Sequence, residues 1–307
     1  MVVIEDNLKQ KFKSRTIIAL GGFDGIHLGH RALIDKTISA AKKHKCKSMV
    51  FTFKNHPLNI INKDLAPKLL MGNPDKLKLF QQYGLDIVNM VNFDQEFMKL
   101  SPEEYIEGLV SLYNAAGLVV GFNHRFGYKN LGDTELLKHL SKVHGFDLYI
   151  VSPVKYKGEV VSSSKIRNLI SEDGDIEKAN KMLTRPYVLE GTVIRGKQLG
   201  RKLGFPTINL NYSNSMVLPR GGVYFTLVEH DGQTFKGITN IGYNPTVEDL
   251  KLSVETHIVN FNKELYDETI RINFIKRIRD EKKFNSLTEL SEQLKKDKIY
   301  ALKQKIE

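Results

Sequence analysis

Thr16-Ile17-Ile18-Ala19-Leu20-Gly21-Gly22-Phe23-Asp24-Gly25-Ile26-His27-Leu28-Gly29-His30 decides the reading of the first half of this 307-residue chain. An apolar, β-branched run enters a glycine-rich turn, the pattern of a strand buried on both faces. The turn opens onto residues 32–43, where Leu33, Ile34, Thr37, Ile38 and Ala41 share one helical face. The glycines let backbone N–H groups approach an anion closely, and a helix N-terminus favours negative charge. The spacing is not G-x-G-x-x-G, which argues against a dinucleotide site.

Outward from this stretch, further strand patterns lie at 48–53, 86–91, 117–122 and 146–151. Between them, residues 102–113 place Tyr105, Ile106, Leu109, Val110 and Tyr113 on one helical face. Ser101, Pro102 and Glu104 mark the start of that helix. Alternating strands and helices predict a Rossmann-like parallel α/β domain, with ligands at the carboxyl ends of the strands. After Tyr187 the helical periods vanish. Strand patterns follow at 187–194, 223–229, 234–240, 254–260 and 269–274, with Asp231-Gly232 as a hairpin turn. They predict a small antiparallel β-barrel, closed by one helix over 286–305 that starts with a Ser286–Glu289 capping box. The expected domains are 1–184 and 185–307.

Composition is that of a soluble globular protein, with 41% hydrophobic and 26% charged residues. No apolar run reaches the roughly 18 residues that span a bilayer, and residues 1–13 lack a signal-peptide core. A cytoplasmic protein with no membrane partner is expected. Cys46 is the one cysteine, so there is no intrachain disulfide, and no partner group near it in sequence marks it as a nucleophile. The net charge of +11 suits steering of phosphorylated small molecules, and the lysines are too dispersed to make nucleic acid the main partner. Oligomeric state is left open.

His27 and His30 sit three apart and share the first turn of the helix. Two imidazoles there can donate to phosphate oxygens and stabilise developing charge without a covalent nucleophile. As a metal pair they lack an evident third ligand, and as plain surface histidines their three flanking glycines are unexplained. In the second half, Gly191 to Lys197 spells a P-loop, but Gln198 stands where Ser or Thr must bind Mg²⁺ and the interior reads as strand. The informative stretch there is Gly200-Arg201-Lys202-Leu203-Gly204-Phe205-Pro206-Thr207-Ile208-Asn209.

The first stretch resembles the H-x-G-H signature of the adenylyltransferase superfamily. Phe53-Lys54-Asn55-His56-Pro57, residues 119–127 and Val161-Ser162-Ser163-Ser164-Lys165-Ile166-Arg167 are similar to further segments of one branch. The second stretch resembles the G-R-x-L-G-F-P-T-A-N signature of riboflavin kinases. Residues 219–224, 240–246 and 254–258 fit the same family, as does Leu265-Tyr266. Together they resemble bifunctional riboflavin kinase/FMN adenylyltransferases, the prokaryotic FAD synthetases. The resemblance implies riboflavin phosphorylation to FMN by ATP, then adenylation to FAD with a second ATP and release of pyrophosphate. Riboflavin, FMN, FAD and ATP are the implied ligands and Mg²⁺ the implied cofactor.

By the same resemblance His27 and His30 serve the triphosphate and the transition state. Gly22, Phe23, Asp24, Gly25, Asn123, Ser163, Ser164 and Arg167 line the nucleotide and flavin site. In the barrel Glu255 is the implied base for the ribityl 5′-hydroxyl, and Thr207 and Asn209 the implied Mg²⁺ ligands. Gly196, Gly200 and Gly204 are implied to allow a flap over the nucleotide, and they count with Arg201 and Pro206 among the implied nucleotide- and flavin-binding residues. The chain departs from the family pattern at Ser164 (usually Thr), Asn123 and Asn260 (often Asp), Ile208 (often Ala) and Asp267 (usually Gly). The alternatives are a chain with one silent domain, and a flavin-binding RNA regulator.

Overall fold

The computed structural model describes residues 1–196, 200, 203–243 and 252–305. It divides into two compact units, Met1–Ser163 and Ser164–Glu307.

The first unit runs β1 (Val2–Ile4), β2 (Thr16–Leu20), α1 (Leu28–His44), β3 (Lys47–Phe53), α2 (Leu58–Ile61), α3 (Asn73–Gln82), β4 (Ile87–Val91), α4 (Gln95–Met98), α5 (Pro102–Ser111), β5 (Ala115–Gly121), α6 (Thr134–His144) and β6 (Asp147–Val151). A small hairpin, β7 (Lys155–Tyr156) and β8 (Glu159–Val160), follows. The six-stranded sheet has the order β1-β4-β3-β2-β5-β6, and every neighbouring pair is parallel. β2 is buried throughout, and its alternation feeds two cores. Ile18 and Leu20 pack with Phe51, Tyr105 and Leu109 on one face. Ile17 and Ala19 pack with Ile34, Val50 and Phe80 on the other. Burying one such aliphatic side chain contributes about 1.5–3 kcal/mol, so both faces reward this register. β2 lies between β3 and β5, so the chain leaves its carboxyl end at the point where strand order reverses.

β1 was not expected from the sequence. Three residues are too short for a periodic signal, and the partner strand β4 lies more than eighty positions away. The N-terminal segment is held by Tyr113, whose hydroxyl donates to Asp6 Oδ2 at 2.5 Å and accepts from the Leu8 N–H at 3.1 Å.

The second unit opens with α7 (Ser163–Asn168), whose first residue belongs to the first unit, and α8 (Ile176–Leu183). Then come β9 (Tyr187–Ile194), β10 (Ile208–Tyr212), β11 (Gly222–His230), β12 (Gln233–Tyr243), β13 (Leu252–Ile258), β14 (Thr269–Arg279) and α9 (Leu287–Lys303). The six strands close into an antiparallel barrel in the order β10-β13-β12-β11-β14-β9. Closure removes exposed strand edges. Asp231 (φ 48°) and Gly232 (φ 71°) make the expected β11–β12 hairpin turn. β9 runs to Ile194, so the interior of the P-loop letters is strand, and Lys197 lies outside the described residues. α8 is fastened to the barrel by Asn180, which donates to Phe274 C=O and accepts from the Tyr187 N–H, both at 2.8 Å.

α9 begins as expected with Ser286 accepting from the Glu289 N–H. The reciprocal half of a capping box is not made. The Glu289 carboxylate instead accepts from Asn285 N–H and Lys282 Nζ. Farther along, buried Asp297 accepts from Arg279 at 2.8 Å and from Gln293 at 2.8 Å, tying the helix to β14.

Candidate functional sites

Beyond β2 the chain turns through Phe23 (φ 50°), Gly25 (φ 79°) and Ile26 (φ 36°) before α1. The turn is clamped from behind. Gly22 C=O accepts from Thr52 Oγ1 at 3.0 Å and from Lys76 Nζ at 3.2 Å. The Asp24 carboxylate accepts from the Leu70 N–H at 3.0 and 3.2 Å. Ser163 Oγ donates to Asp24 C=O at 2.9 Å. Among the described residues, no acceptor meets the N–H of Gly22 or Phe23. Those two donors are what an anion at the sheet's switch point can use.

His27 is the N-cap of α1. Its Nδ1 accepts from the Gly29 and His30 N–H groups at 3.1 and 3.3 Å. An accepting Nδ1 carries no proton, so the neutral ring holds its proton on Nε2 as a donor. The His27 and His30 rings stack with centroids 3.7 Å apart and planes 16° from parallel. Gly29 is what permits this packing: a Cβ there would lie 3.1 Å from the His27 ring.

Asn123 is exposed just past β5, the strand beside β2. Gly127 in the same loop has φ 71°, and a Cβ on it would lie 2.6 Å from Pro102 N, so only glycine fits. Between them His124 stacks on Phe126 at 5.7 Å, with a buried Nε2 that has no hydrogen-bond partner among the described residues. Burial pushes its pKa down to about 4. Asn55 in the Phe53–Pro57 segment is a pin: it donates to Phe93 C=O and accepts from Phe93 N–H, both at 2.8 Å. Ser164 and Arg167 lie on α7 in the second unit.

In the barrel the site is a matter of register. Asn209 pairs with Glu255 across β10 and β13, and Asn240 pairs with Glu255 across β12 and β13. The three side chains therefore share one face of the sheet. Glu255, His257, Asn240 and Thr207 line a cavity of about 270 Å³ whose remaining walls include Leu203, Phe205, Val223, Ile238, Phe284 and Leu290. Thr256 and Ile258, one residue out of step, point the other way. They line a second cavity of about 350 Å³ with Pro206, Thr207, Asn262, Lys263 and Tyr266. Thr207 lines both cavities. Buried His257, its pKa lowered by desolvation, hydrogen-bonds Pro206 C=O through Nδ1 at 2.9 Å and so steadies the segment carrying Thr207.

Gly200 C=O accepts from the N–H groups of Leu203 and Phe205, making a tight turn that includes Gly204 at φ 77°. A Cβ on Gly196 would come within 2.0 Å of the Asn209 amide, so that side chain packs directly on the Gly196 backbone. Arg201, and the 244–246 part of a motif, lie outside the described residues. Asn260 and Asp267 both have left-handed φ, 58° and 64°. Glycine adopts such a φ without strain.

Among the described residues no group of three or more His, Cys, Asp or Glu side chains could hold a metal ion. Thr207 and Asn209 instead offer neutral, hard oxygens two apart on an extended segment. Such a partial set suits Mg²⁺, which keeps several waters and binds with substrate phosphates. Sequence reasoning missed the clamp residues Thr52 and Lys76, because neither stands in a motif and both act through a backbone carbonyl.

Comparison with known proteins agrees with this division. Residues 9–165 match the FAD synthetase family and residues 183–304 the riboflavin kinase family. A bifunctional riboflavin kinase/FMN adenylyltransferase of Bacillus subtilis is 35% identical over 97% of this chain and 95% of its own length. The Escherichia coli K12 protein of the same description is 33% identical over 96% and 94%. A solved structure described as a macrolide-efflux protein from Streptococcus pneumoniae superposes with a TM-score of 0.87 at 28% identity, covering 99% of each chain. Among the described residues here, no helix is long and apolar enough to cross a membrane.

Proposed function

The chain belongs to the bifunctional riboflavin kinase/FMN adenylyltransferase family, and from that premise we propose that it makes FMN in the barrel and FAD in the α/β unit. Each unit has its own phosphate-handling set, and this is the observation that carries the reading. The stacked His27–His30 pair heads α1 in one, and Glu255 shares a cavity with Thr207 in the other.

In the barrel, riboflavin occupies the cavity with apolar walls and ATP the more polar one, with their reacting ends meeting at Thr207. Glu255 accepts the proton of the ribityl 5′-hydroxyl as that oxygen attacks the γ-phosphorus and ADP leaves. Thr207 and Asn209 hold Mg²⁺, which when bound neutralises phosphate charge. In the α/β unit a phosphate oxygen of FMN attacks the α-phosphorus of a second ATP, and pyrophosphate leaves. His27, through its Nε2–H, and His30 meet the charge that develops there, while the Gly22 and Phe23 N–H groups hold the phosphates. Asn123 and Ser163 add nucleotide and flavin contacts in this unit, and Ser164 and Arg167, on the second unit's α7, are proposed as nucleotide ligands in their own right. Adenylation belongs to residues 1–184 and phosphorylation to 185–307, and the enzyme works in the cytoplasm.

The test is a chromatographic product assay with riboflavin, ATP and Mg²⁺, run with oxidised and with reduced flavin. FMN followed by FAD is the expected course. FMN that accumulates without FAD under both redox conditions would sink the adenylation half. No FMN, with FAD still made from supplied FMN, would sink the kinase half.

A further inference from the structure

Lys76 is only 6% exposed, and none of the chemistry above uses it. It sits in the first turn of α3, and its Nζ donates to Gly22 C=O. That oxygen already accepts a hydrogen bond from Thr52. A buried lysine is therefore not needed to satisfy it, and removing an ammonium group from water costs several kcal/mol. An apolar side chain would fill the same space without that cost, but would leave the nearby buried Asp24 carboxylate without its cation. What lysine alone supplies is charge. Burial pulls its pKa below the ordinary lysine range, and the nearby Asp24 carboxylate pulls it back.

The position of that charge matters. Gly22 C=O and Phe23 N–H belong to one peptide group, and in a trans peptide they point in opposite directions. A cation on the carbonyl side polarises the amide and makes the N–H on the far side a stronger donor. The Phe23 N–H has no acceptor among the described residues. Gly22 and Phe23 also lead directly into the His27–His30 pair.

We infer that Lys76 is a positioning and polarising residue for adenylyl transfer. Its ammonium holds the Gly22–Phe23 peptide and, through it, strengthens the hydrogen bond offered to the nucleotide's phosphates. The ligand recognised is the polyphosphate of a nucleoside triphosphate, not its base or sugar. The inference rests on the adenylation reading for its role in turnover, but the binding it describes can be measured without turnover.

The experiment compares ATP with adenosine on the full chain carrying K76M, K76Q or K76R, by calorimetric titration. An N-terminal-site background (H27N in the wild type and each variant) and a saturating barrel ligand separate the two nucleotide sites. Riboflavin phosphorylation serves as the control for folding. Losing one aimed donor in such a site costs about 100- to 1000-fold in rate. Losing only the charge behind it is expected to cost roughly tenfold in ATP affinity and in FMN adenylation. K76M and K76Q should both show this loss with adenosine affinity within about twofold of wild type, and K76R should recover most of it. Equal losses for ATP and adenosine would make Lys76 a structural prop and overturn the inference. So would a K76Q chain with unchanged ATP affinity, since glutamine keeps a donor for Gly22 C=O without the charge. If K76M does not fold, K76Q and K76R decide. A wild-type chain that makes no FAD from FMN would sink the adenylation reading, while the ATP-to-adenosine ratio would still decide for or against Lys76.

Discussion

The Gly21–Ile26 turn and the β13 wall, the two phosphate sites proposed above, are built in opposite ways. The turn offers backbone N–H groups and a helix cap, and the side chains that hold it work from behind: Thr52 of β3, Lys76 of α3 and its own Asp24. The wall offers side chains directly, and its backbone is spent on the barrel ladder. A site made from main chain spreads its function over many weak contributors. A site made from strand side chains concentrates it in one or two positions and depends on register.

The sharpest test of that contrast is E255Q. Removal of the proton acceptor is expected to lower riboflavin phosphorylation by about 10²- to 10⁴-fold. FAD formation from supplied FMN should continue, as read by chromatography of both products. The matching test in the turn is H27N against H27A. Either loses the Nε2–H and should slow adenylation by about 100- to 1000-fold. Asparagine is a good N-cap and alanine is not, so H27A alone should lose about 1 kcal/mol of stability in thermal unfolding. If H27N matched the E255Q loss at its upper end, the distinction between distributed and concentrated function would fail.

A smaller effect concerns acid. Free histidine binds a proton near pH 6.5, whereas folded His124 stays neutral down to about pH 4. Between those values the unfolded chain binds more protons, so stability falls as pH falls. The loss should be on the order of 3 kcal/mol across that window. Hydrogen exchange of β5 amides at stepped pH would read it, and H124F should flatten the His124 share. A flat wild-type profile would mean that the Nε2 site is wetter than its burial indicates. The least effect is expected at Asp267, whose φ of 64° suits glycine. D267G relieves backbone strain but frees the unfolded chain, for a net gain of about 0.5 kcal/mol. Denaturant unfolding of the barrel would show it.

The parts of this molecule legible in the sequence are those whose cause is local. β2 and α1 follow from apolar periodicity, the Asp231-Gly232 turn from its dipeptide, and the α5 capping box from Ser101 and Glu104. The motif residues around His27 and Glu255 stand out through resemblance, and the roles proposed for them follow from residue type. What stayed hidden has a distant cause. β1 exists because β4 leaves an edge, and β10, visible only as an extended segment, is a strand because β9 and β13 flank it. Lys76 reads as an ordinary helix lysine until Gly22 is placed beneath it, fifty-four positions away in sequence. The half-made cap at Ser286 is different, a local competition in which Lys282 and Asn285 take the Glu289 carboxylate.

Alternation along β13 has a practical side. Glu255 and His257 address one cavity, Thr256 and Ile258 the other, in a two-beat code. On the ligand placement proposed above, an engineer who recodes the odd positions would be editing the acceptor's cavity, and one who recodes the even positions the donor's. That placement makes selectivity for a new flavin and for a new nucleotide separable traits in a single seven-residue strand. A one-residue deletion would cross the two and deliver each side chain to the wrong customer.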